Sequence, residues 1–357
     1  MTATSELLLQ VDRAFRTLQV RSPAPPTRFY LNLTQTCQLR CAHCITGAPE
    51  KTADGTAQNM TAAVLDALRP HLAHALYVGL THAGEPMLAP LFVPALQAVK
   101  DARAGQPTVV HLLTNGLAMT VERLMEVTAL GVNSLSISMD GMSAGSHDLL
   151  RVGSRIQQLL PRVEALAQAR RDHGLALRMG LACTLHRQNV TELDALVEFA
   201  ARAGLDWVKL EEMYPINPVA KAAMVDASVM GAAVTSAVAR GPALGVRVLD
   251  HTQDHQVWKC RVQDDAVMAA FSAGDDFINR MDINPCRLPW ELLCVEPNGD
   301  LKPMGFNHAP AGNILQRPLL ETWNGPAFAA ARIQSVTARL CVGHIAGCPA
   351  DGGPEVW

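Results

Sequence analysis

Aromatic and charged residues are both scarce in this sequence. Phe, Trp and Tyr make up 4% of its 357 residues, Asp, Glu, Lys and Arg make up 18%, and the formal net charge is −3. A nucleic-acid or membrane-surface partner normally brings a basic excess, so the composition favours neither. Apolar residues make up 49%. We therefore expect a folded chain with one large domain and a smaller appendage.

Long apolar runs are also missing. Every apolar stretch is interrupted by His, Glu, Pro or Arg well before the ~20 residues that a membrane-spanning helix needs. The first twenty residues contain Asp and Arg where a signal peptide needs an unbroken apolar segment. We therefore expect a cytoplasmic protein. In that reducing compartment, clustered cysteines more often bind a metal or act in catalysis than form disulfides.

Cysteine, by contrast, occurs at nine positions, which form two groups and two isolated residues. The first group lies in the segment CQLRCAHC and consists of Cys37, Cys41 and Cys44. The second group lies near the C-terminus and consists of Cys286, Cys294, Cys341 and Cys348. Cys183 and Cys260 lie between the groups, and we predict that each is a buried, small apolar side chain.

Short apolar runs alternate with amphipathic segments from residue 29 onward. Six runs predict strands, at 29–34, 75–82, 108–116, 134–141, 175–185 and 207–213, and the segments between them predict helices. Such repeated units are typical of a parallel sheet in an α/β fold. Six units are too few for a closed (β/α)8 barrel and suit an open one. Residues 245–250 predict one further strand.

The remainder of the chain is rich in Pro, Gly and Cys. Within it, residues 290–304 predict a β-hairpin, because Pro297 and Gly299 fit a type I turn followed by a glycine bulge. We therefore divide the chain into an N-terminal extension (1–28), an α/β domain (29–254) and a small Cys-rich domain (255–357).

The first cysteine group has the spacing C-x3-C-x2-C. A structural zinc site requires four ligands, so three thiolates leave it one ligand short. A catalytic site requires an open position, and a [4Fe–4S] cluster with three Cys ligands leaves one iron free to bind a small chelating molecule. The alternatives are a chance spacing and a zinc site in which His43 is the fourth ligand.

This spacing, directly after the first predicted strand, resembles that of the radical S-adenosylmethionine (radical SAM) superfamily. The resemblance implies a partial (β/α)6 barrel in which Cys37, Cys41 and Cys44 bind a [4Fe–4S] cluster. It also implies that the open iron binds the amino and carboxylate groups of S-adenosylmethionine. Reduction by a flavodoxin- or ferredoxin-type protein then yields a 5′-deoxyadenosyl radical, which abstracts a hydrogen atom from the substrate.

The end of the second predicted strand extends the resemblance. The family commonly has Gly-Gly-Glu-Pro at this position; here Gly84, Glu85 and Pro86 match, and the first glycine is replaced by Ala83. The match implies that this motif meets the methionyl ammonium of the cofactor. A carboxylate at the C-terminal end of a parallel strand lies where such sheets have their functional groups.

Further cofactor contacts are implied beyond the third and fourth strands. Four polar residues match positions that approach the methionine and the ribose: Thr114, Asn115, Ser138 and Asp140. Arg151 resembles the arginine that pairs with the methionyl carboxylate in many relatives, a geometry that suits a guanidinium. His43 replaces a residue that is often aromatic, and it is expected to contact the adenine.

The second cysteine group resembles the auxiliary iron–sulfur sites of SPASM and twitch domains. Twelve residues separate Cys286 from Gly299, and four more separate Gly299 from Met304, where the family has cysteine. Cys341 and His344 lie where the family often has C-x2-C. A second cluster is therefore expected, with an altered ligand set.

Three interpretations of this altered site are open. In the first, Cys294 replaces the missing ligand, which requires a hairpin turn that places it on the same face as Met304. In the second, Cys286, Cys341 and Cys348 hold a cluster that His344 completes or that stays open for substrate. In the third, the cluster has been lost and the cysteines are packed in the core.

The expected substrate is a small molecule, such as a sugar, aminocyclitol or nucleoside intermediate of antibiotic or other specialised biosynthesis. The expected reaction is a dehydrogenation or a cluster-assisted sulfur transfer. A small molecule is favoured because peptide-modifying relatives often begin with a leader-binding domain, whereas 28 residues precede the first predicted strand. The alternatives are a peptide maturase that crosslinks or epimerises residues and, in another class, a non-catalytic iron–sulfur electron carrier.

Polar residues at the strand ends are candidates for contact with the substrate. Their position is the only argument for them, because parallel sheets carry their chemistry at this edge. They are His82, Thr184, His186, Glu211, Glu212 and Tyr214.

Overall fold

The structure, a computed structural model, describes residues 3–81, 83–252, 286–303 and 308–336. The strands in these ranges are β1 (Arg28–Leu31), β2 (Tyr77–Leu80), β3 (Val109–Thr114), β4 (Ser134–Ser138), β5 (Arg178–Leu185), β6 (Trp207–Glu212), β7 (Arg247–His251), β8 (Leu292–Val295), β9 (Asp300–Lys302) and β10 (Gly312–Asn313). The α-helices in these ranges are α1 (Ala3–Arg16), α2 (Ala48–Ala53), α3 (Ala62–Leu72), α4 (Phe92–Ala102), α5 (Val121–Ala129), α6 (Ile156–Asp172), α7 (Leu193–Ala203), α8 (Pro218–Ala223), α9 (Ala227–Arg240), α10 (Leu319–Trp323) and α11 (Pro326–Val336).

These strands form one sheet in the order β10-β9-β8-β1-β2-β3-β4-β5-β6-β7. Neighbouring strands from β1 to β7 are parallel, and helices connect them. The predicted α/β fold with six strand–helix units is confirmed. β7 is a seventh parallel strand, at the place where the sequence predicts a further one.

The sheet curves so that side chains from distant strands meet inside it. The rings of His111 on β3 and Trp207 on β6 are 6.5 Å apart. In a flat sheet, three inter-strand steps would separate these strands by about 14 Å. Tyr30 on β1 and Cys294 on β8 belong to the same buried cluster as Trp207. The parallel strands therefore enclose an interior, as a partial barrel does.

The helices cover the outer face of the sheet with apolar side chains. Helix α3 begins after its N-cap, Thr61, whose Oγ1 accepts a hydrogen bond from the Val64 N–H (3.3 Å). Val64, Leu68 and Leu72 follow at intervals of four and are all buried, as expected of an amphipathic helix. Within the described ranges, no helix has the length and apolarity needed to cross a membrane.

The predicted hairpin is present as β8 and β9. Gly299 has a φ of +89°, and its N–H donates to the carbonyl oxygen of Glu296 (2.9 Å), which confirms the predicted turn. Cys294 lies opposite Lys302, while Met304 lies outside the described residues. β8 also pairs in parallel with β1, so the hairpin extends the sheet of the barrel. The proposed domain boundary falls outside the described residues and stays a prediction.

Candidate active site

A cleft opens at the C-terminal ends of strands β2 to β6, beside the loop that carries the first cysteine group. Loops that follow parallel strands converge at this edge, which is why such sheets have their functional groups there. Most of the predicted site residues line the cleft: Cys37, Cys41, His43, Cys44, Gly84, Glu85, Thr114, Asn115, Ser138, Arg151, Thr184, Glu211, Glu212 and Tyr214. Pro86, Asp140 and His186 are buried behind its surface.

The three cysteines of the loop are partly exposed, form no disulfide and have polar neighbours. The side-chain amide of Asn115 lies 3.8 Å from Cys37 Sγ, and the hydroxyl of Thr46 lies 3.4 Å from Cys44 Sγ. Such donors stabilise sulfur that carries negative charge. Burial raises the pKa of Cys41 to about 12, so this thiol is protonated at neutral pH and would have to release its proton to bind a metal.

The type and number of these donors fit a cluster better than a single ion. In the part of the chain that the structure describes, no three His, Cys, Asp or Glu side chains converge closely enough to hold one metal ion. A cubane tolerates a wider spacing, because each thiolate binds a different iron. His43 Nε2 lies 3.3 Å from Asp140 Oδ2, which argues against the zinc alternative. The donor set, three soft thiolates with one open position, suits [4Fe–4S].

Gly84 brings the end of β2 against the start of the cysteine loop. Its φ is +47°, and a Cβ at this position would lie 2.4 Å from the carbonyl oxygen of Thr36. The N–H of Glu85 donates to the same oxygen (2.8 Å). Only glycine permits both the backbone conformation and the close approach. Pro86, which is buried, then starts a short 3₁₀ turn that leads the chain away from the loop.

The carboxylate of Glu85 is 1% exposed and is held by the end of β3. Its Oε1 accepts from Thr114 Oγ1 (2.8 Å), and its Oε2 accepts from the N–H of Asn115 (2.9 Å). Burial raises the pKa of Glu85 to about 7, although both hydrogen bonds favour the ionised form. A cation bound beside this carboxylate would stabilise its charge, so the site is suited to an ammonium group.

Arg151 and Asp140 form a bidentate ion pair in the wall of the cleft. Arg151 Nε lies 2.6 Å from Asp140 Oδ2, and Nη2 lies 3.0 Å from Oδ1. Although burial alone would raise it, the charge of Arg151 and the hydrogen bond from His43 hold the pKa of Asp140 well below its usual range. Ser138 lines the cleft, whereas the Asp140 carboxylate faces Arg151 and not the cleft.

Residues 31–200 of the chain match the Radical SAM superfamily. These residues form a radical SAM domain. The PqqA peptide cyclase of Streptomyces rochei is 24% identical to it over 315 residues, which are 84% of this chain and 75% of that protein. The pre-heme d1 synthase of Dinoroseobacter shibae is 30% identical over 178 residues, which are 49% of this chain and 40% of that enzyme.

A solved structure has a similar fold. SuiB of Streptococcus suis, bound to S-adenosylmethionine, superposes with a TM-score of 0.62 at 15% identity, covering 86% of this chain and 68% of that one. At this identity the likeness concerns the fold alone. This chain spans about half of the length, or less, of several curated relatives.

Radical SAM enzymes use two cofactors, S-adenosylmethionine and a [4Fe–4S] cluster, and the residues of this cleft fit both. Cys37, Cys41 and Cys44 would hold the cluster and leave one iron open. Glu85 and Arg151 present opposite charges, which suit the amino and carboxylate groups of the cofactor's methionine. The roles of the individual residues stay predictions.

Four of the six predicted substrate residues line the radical SAM cleft. Glu211 Oε1 lies 2.9 Å from Nζ of Lys209, which is buried one layer deeper in the barrel. Burial and, to a smaller extent, the charges of Glu212 and Glu211 raise the pKa of Tyr214 to about 12. This side of the cleft therefore combines carboxylates with a neutral phenol. Thr184 lies beside Glu211 in the sheet register.

Of the other two predicted substrate residues, His186 is described and does not line the cleft. His186 is fully buried in the turn after β5: its N–H donates to Asn189 Oδ1 (2.8 Å), and its Nδ1 lies 3.0 Å from Gln188 Oε1. The side chains of this turn thereby keep the ring inside the protein, away from the strand end. His82 lies outside the described residues.

Two members of the second cysteine group are described. Cys286 and Cys294 are both buried in one apolar cluster with Tyr30, Tyr77 and Trp207. Burial raises the pKa of the Cys294 thiol, so it is neutral in this setting. The auxiliary cluster stays a prediction, because its other proposed ligands lie outside the described residues: Met304, Cys341, His344 and Cys348. Cys260 also lies outside them.

Sequence analysis missed several polar residues of the site. Gln38 donates to the side chain of Asn115 (3.3 Å), Thr81 lines the cleft, and Lys209 pairs with Glu211. Lys209 had a usable signal, since alternate residues of a strand share a face and Glu211 was already a candidate. The contact of Gln38 depends on the loop conformation, for which the sequence offers no pattern.

Proposed function

We propose that the protein is a radical SAM peptide maturase, which removes a hydrogen atom from a residue of a ribosomally made peptide and leaves a crosslinked or epimerised product. One observation carries this proposal. The match with a PqqA peptide cyclase extends over 84% of this chain, whereas the match with pre-heme d1 synthase covers 49%. The peptide-directed relative is therefore similar well beyond residues 31–200.

A small-molecule substrate, which the sequence alone favours, becomes the second candidate. The name of the pre-heme d1 synthase supports it, since it refers to a haem precursor and not to a peptide. The number of residues before the first strand says nothing about the cleft or about the reaction. Because the longer match is to a peptide cyclase, we favour the peptide.

The chain's own residues have separable tasks in this proposal. When bound, the cluster and S-adenosylmethionine, reduced by an external one-electron donor, supply the radical that removes the hydrogen atom. Glu85 would bind the ammonium of the cofactor and Arg151 its carboxylate. Glu211, held by Lys209, would accept a hydrogen bond from a peptide N–H, and Tyr214 would donate one to a peptide carbonyl.

We also propose a second iron–sulfur cluster in the C-terminal region. Its ligands would be Cys286, Cys341 and Cys348, with Cys294, His344 or Met304 as a further ligand. Only the sequence spacing supports it. Such a cluster would accept an electron from the substrate radical or bind the substrate.

The test is a reaction with anaerobically reconstituted protein, S-adenosylmethionine and dithionite. Short peptides encoded beside the gene are added one at a time, each labelled with deuterium. Mass spectrometry follows both the peptide and the 5′-deoxyadenosine that is formed. We expect one labelled peptide to lose deuterium and this deuterium to appear in 5′-deoxyadenosine.

Two controls make the result specific. The Cys37/Cys41/Cys44→Ala variant should form no 5′-deoxyadenosine, while Cys183→Ala, which removes a buried cysteine outside both groups, should react like the wild type. The proposal is wrong if no peptide changes while a low-molecular-weight cell extract stimulates 5′-deoxyadenosine formation. That outcome would favour the small-molecule candidate.

A further inference from the structure

The carboxylate of Asp140 makes four polar contacts within the protein. Its Oδ1 accepts from Arg151 Nη2 (3.0 Å) and from the N–H of Thr184 (2.9 Å). Its Oδ2 accepts from Arg151 Nε (2.6 Å) and lies 3.3 Å from His43 Nε2. A carboxylate offers about four acceptor sites, so these contacts use all of them. With 0% of its surface exposed, Asp140 has no oxygen left for a ribose hydroxyl.

The backbone of Asp140 is fixed as firmly as its side chain. Its N–H donates to His147 Nδ1 (3.2 Å), and its carbonyl oxygen accepts from Asn189 Nδ2 (2.7 Å). Burial lowers the pKa of His147 to about 4, so the ring is neutral and Nδ1 is an acceptor, while Nε2 lies 2.9 Å from Ser154 Oγ. Asp140 is therefore a rigid point in the wall of the cleft.

The two side chains that Asp140 joins belong to different parts of the site. His43 lies in the cysteine loop between Cys41 and Cys44, and Arg151 lies in the segment after β4. The two segments are also joined through the backbone, because the N–H of Ala42 donates to the carbonyl oxygen of Leu150 (2.8 Å). A second bond of this kind links the loop to the residue after Arg151.

We infer that Asp140 is a positioning residue that couples the cysteine loop to Arg151 through His43, and not a ribose ligand. A loop held in place by the cluster fixes His43, His43 fixes Asp140, and Asp140 orients the guanidinium that faces the cleft. The coupling is reciprocal by thermodynamic necessity, so an anion bound at Arg151 stabilises the loop in turn. This link depends on His43, which stands where the family often has an aromatic residue.

Three variants test the inference: His43→Phe, His43→Gln and Asp140→Asn. Phe supplies an aromatic ring without a hydrogen bond, whereas Gln retains a side-chain N–H that can donate to Asp140. Each protein is reconstituted anaerobically and exposed to the chelator bathophenanthroline disulfonate. The first measurement is the rate of iron release with and without saturating S-adenosylmethionine. The second is the Kd for S-adenosylmethionine, from equilibrium dialysis with radiolabelled cofactor.

For His43→Phe we expect iron release to be about tenfold faster and cofactor binding about tenfold weaker, which corresponds to roughly 1.4 kcal/mol and to the loss of one charge-assisted hydrogen bond. The factor by which S-adenosylmethionine slows iron release should fall as well. His43→Gln should recover most of these losses. Asp140→Asn should resemble His43→Phe, and combining the two should add little, since both break the same link.

Several outcomes would overturn the inference. A His43→Phe protein with wild-type iron release and wild-type cofactor binding would mean that the ring only fills space. A faster release with an unchanged protective factor means that His43 supports the loop without coupling it to Arg151. An Asp140→Asn protein with weaker cofactor binding and normal iron release points to a ribose contact. If Asp140→Asn does not fold, the two His43 variants decide the question. No peptide is involved, so the result is independent of the proposed substrate.

Discussion

The described members of the two cysteine groups occupy opposite environments in this protein. Cys37, Cys41 and Cys44 are partly exposed and line a cleft that also contains carboxylate, amide and guanidinium groups. Cys286 and Cys294 are 3% and 1% exposed, in a cluster of aromatic and aliphatic side chains. Sequence spacing treats both groups as candidate ligands. The comparison teaches that sequence spacing alone does not determine the environment in which a thiol lies.

Removing the first group gives the largest expected effect. In the Cys37/Cys41/Cys44→Ala variant we expect iron to fall by about four per chain and 5′-deoxyadenosine formation to fall below detection, because no other described thiols line the cleft. Iron and acid-labile sulfide, measured after anaerobic reconstitution, check the first part. Cys183→Ala is the matched control, since Cys183 is fully buried as predicted. A variant that keeps its iron would contradict the assignment of the loop.

The second-largest effect is expected when the negative charge beside the first cysteine group is removed. Glu85→Gln keeps the shape and a hydrogen-bonding group but removes the negative charge that suits an ammonium. We expect the Kd for S-adenosylmethionine to rise about 10- to 100-fold, the range for a hydrogen bond to a charged group. Isothermal titration calorimetry under anaerobic conditions measures it. An unchanged Kd would mean that Glu85 has only a structural task with Thr114 and Asn115.

The same residue predicts a pH dependence. Burial raises the pKa of Glu85 to about 7, so its ionised fraction increases between pH 6 and pH 8. Since the ionised form binds the cation, wild-type affinity for S-adenosylmethionine should increase over this range relative to Glu85→Gln. The variant also corrects for titration of the cofactor's own amino group. Parallel pH profiles of the two proteins would show that Glu85 does not control binding.

Much of this site could be predicted because each functional residue follows a predicted strand. Glu85 and Asn115 lie in the loops after β2 and β3, Ser138 ends β4, and parallel pairing brings these strand ends to one edge. The direction of individual side chains could not be predicted in this way. Asp140 also follows its strand, yet it faces Arg151, because buried donors from three different segments compete for its oxygens.

The pairing of β8 with β1 could not be predicted either. Local patterns identify the hairpin, since Pro297 and Gly299 fix its turn, but no local pattern says which edge the hairpin joins. The pairing connects Tyr30 with Cys294, residues far apart in the chain. It places Cys294, one member of the second cysteine group, in the buried cluster inside the barrel.

Gly84 lies against the backbone of Thr36, at the start of the cysteine loop, and its substitution should have a smaller effect on the first group. In Gly84→Ala, the new Cβ would lie 2.4 Å from the Thr36 carbonyl oxygen, with the backbone at positive φ. We expect the free energy of unfolding to fall by about 1–3 kcal/mol, as measured by denaturant unfolding, together with lower iron content. Gly55→Ala is the matched control: it also has positive φ, but nothing lies within 4 Å of its Cβ. Equal effects of both substitutions would remove the close approach as the cause.

Replacing a member of the second group gives the smallest expected effect. Cys294 lies beside Tyr30 in the sheet and is buried in an apolar cluster, so a thiolate there would lack water. We therefore expect Cys294→Ala to keep the iron content of the wild type and to lose about 1 kcal/mol of unfolding free energy, as Cys183→Ala should. Iron analysis and denaturant unfolding of both variants check this. If Cys294→Ala alone loses about four irons, its burial conceals a ligand, and the contrast between the two groups fails at this residue.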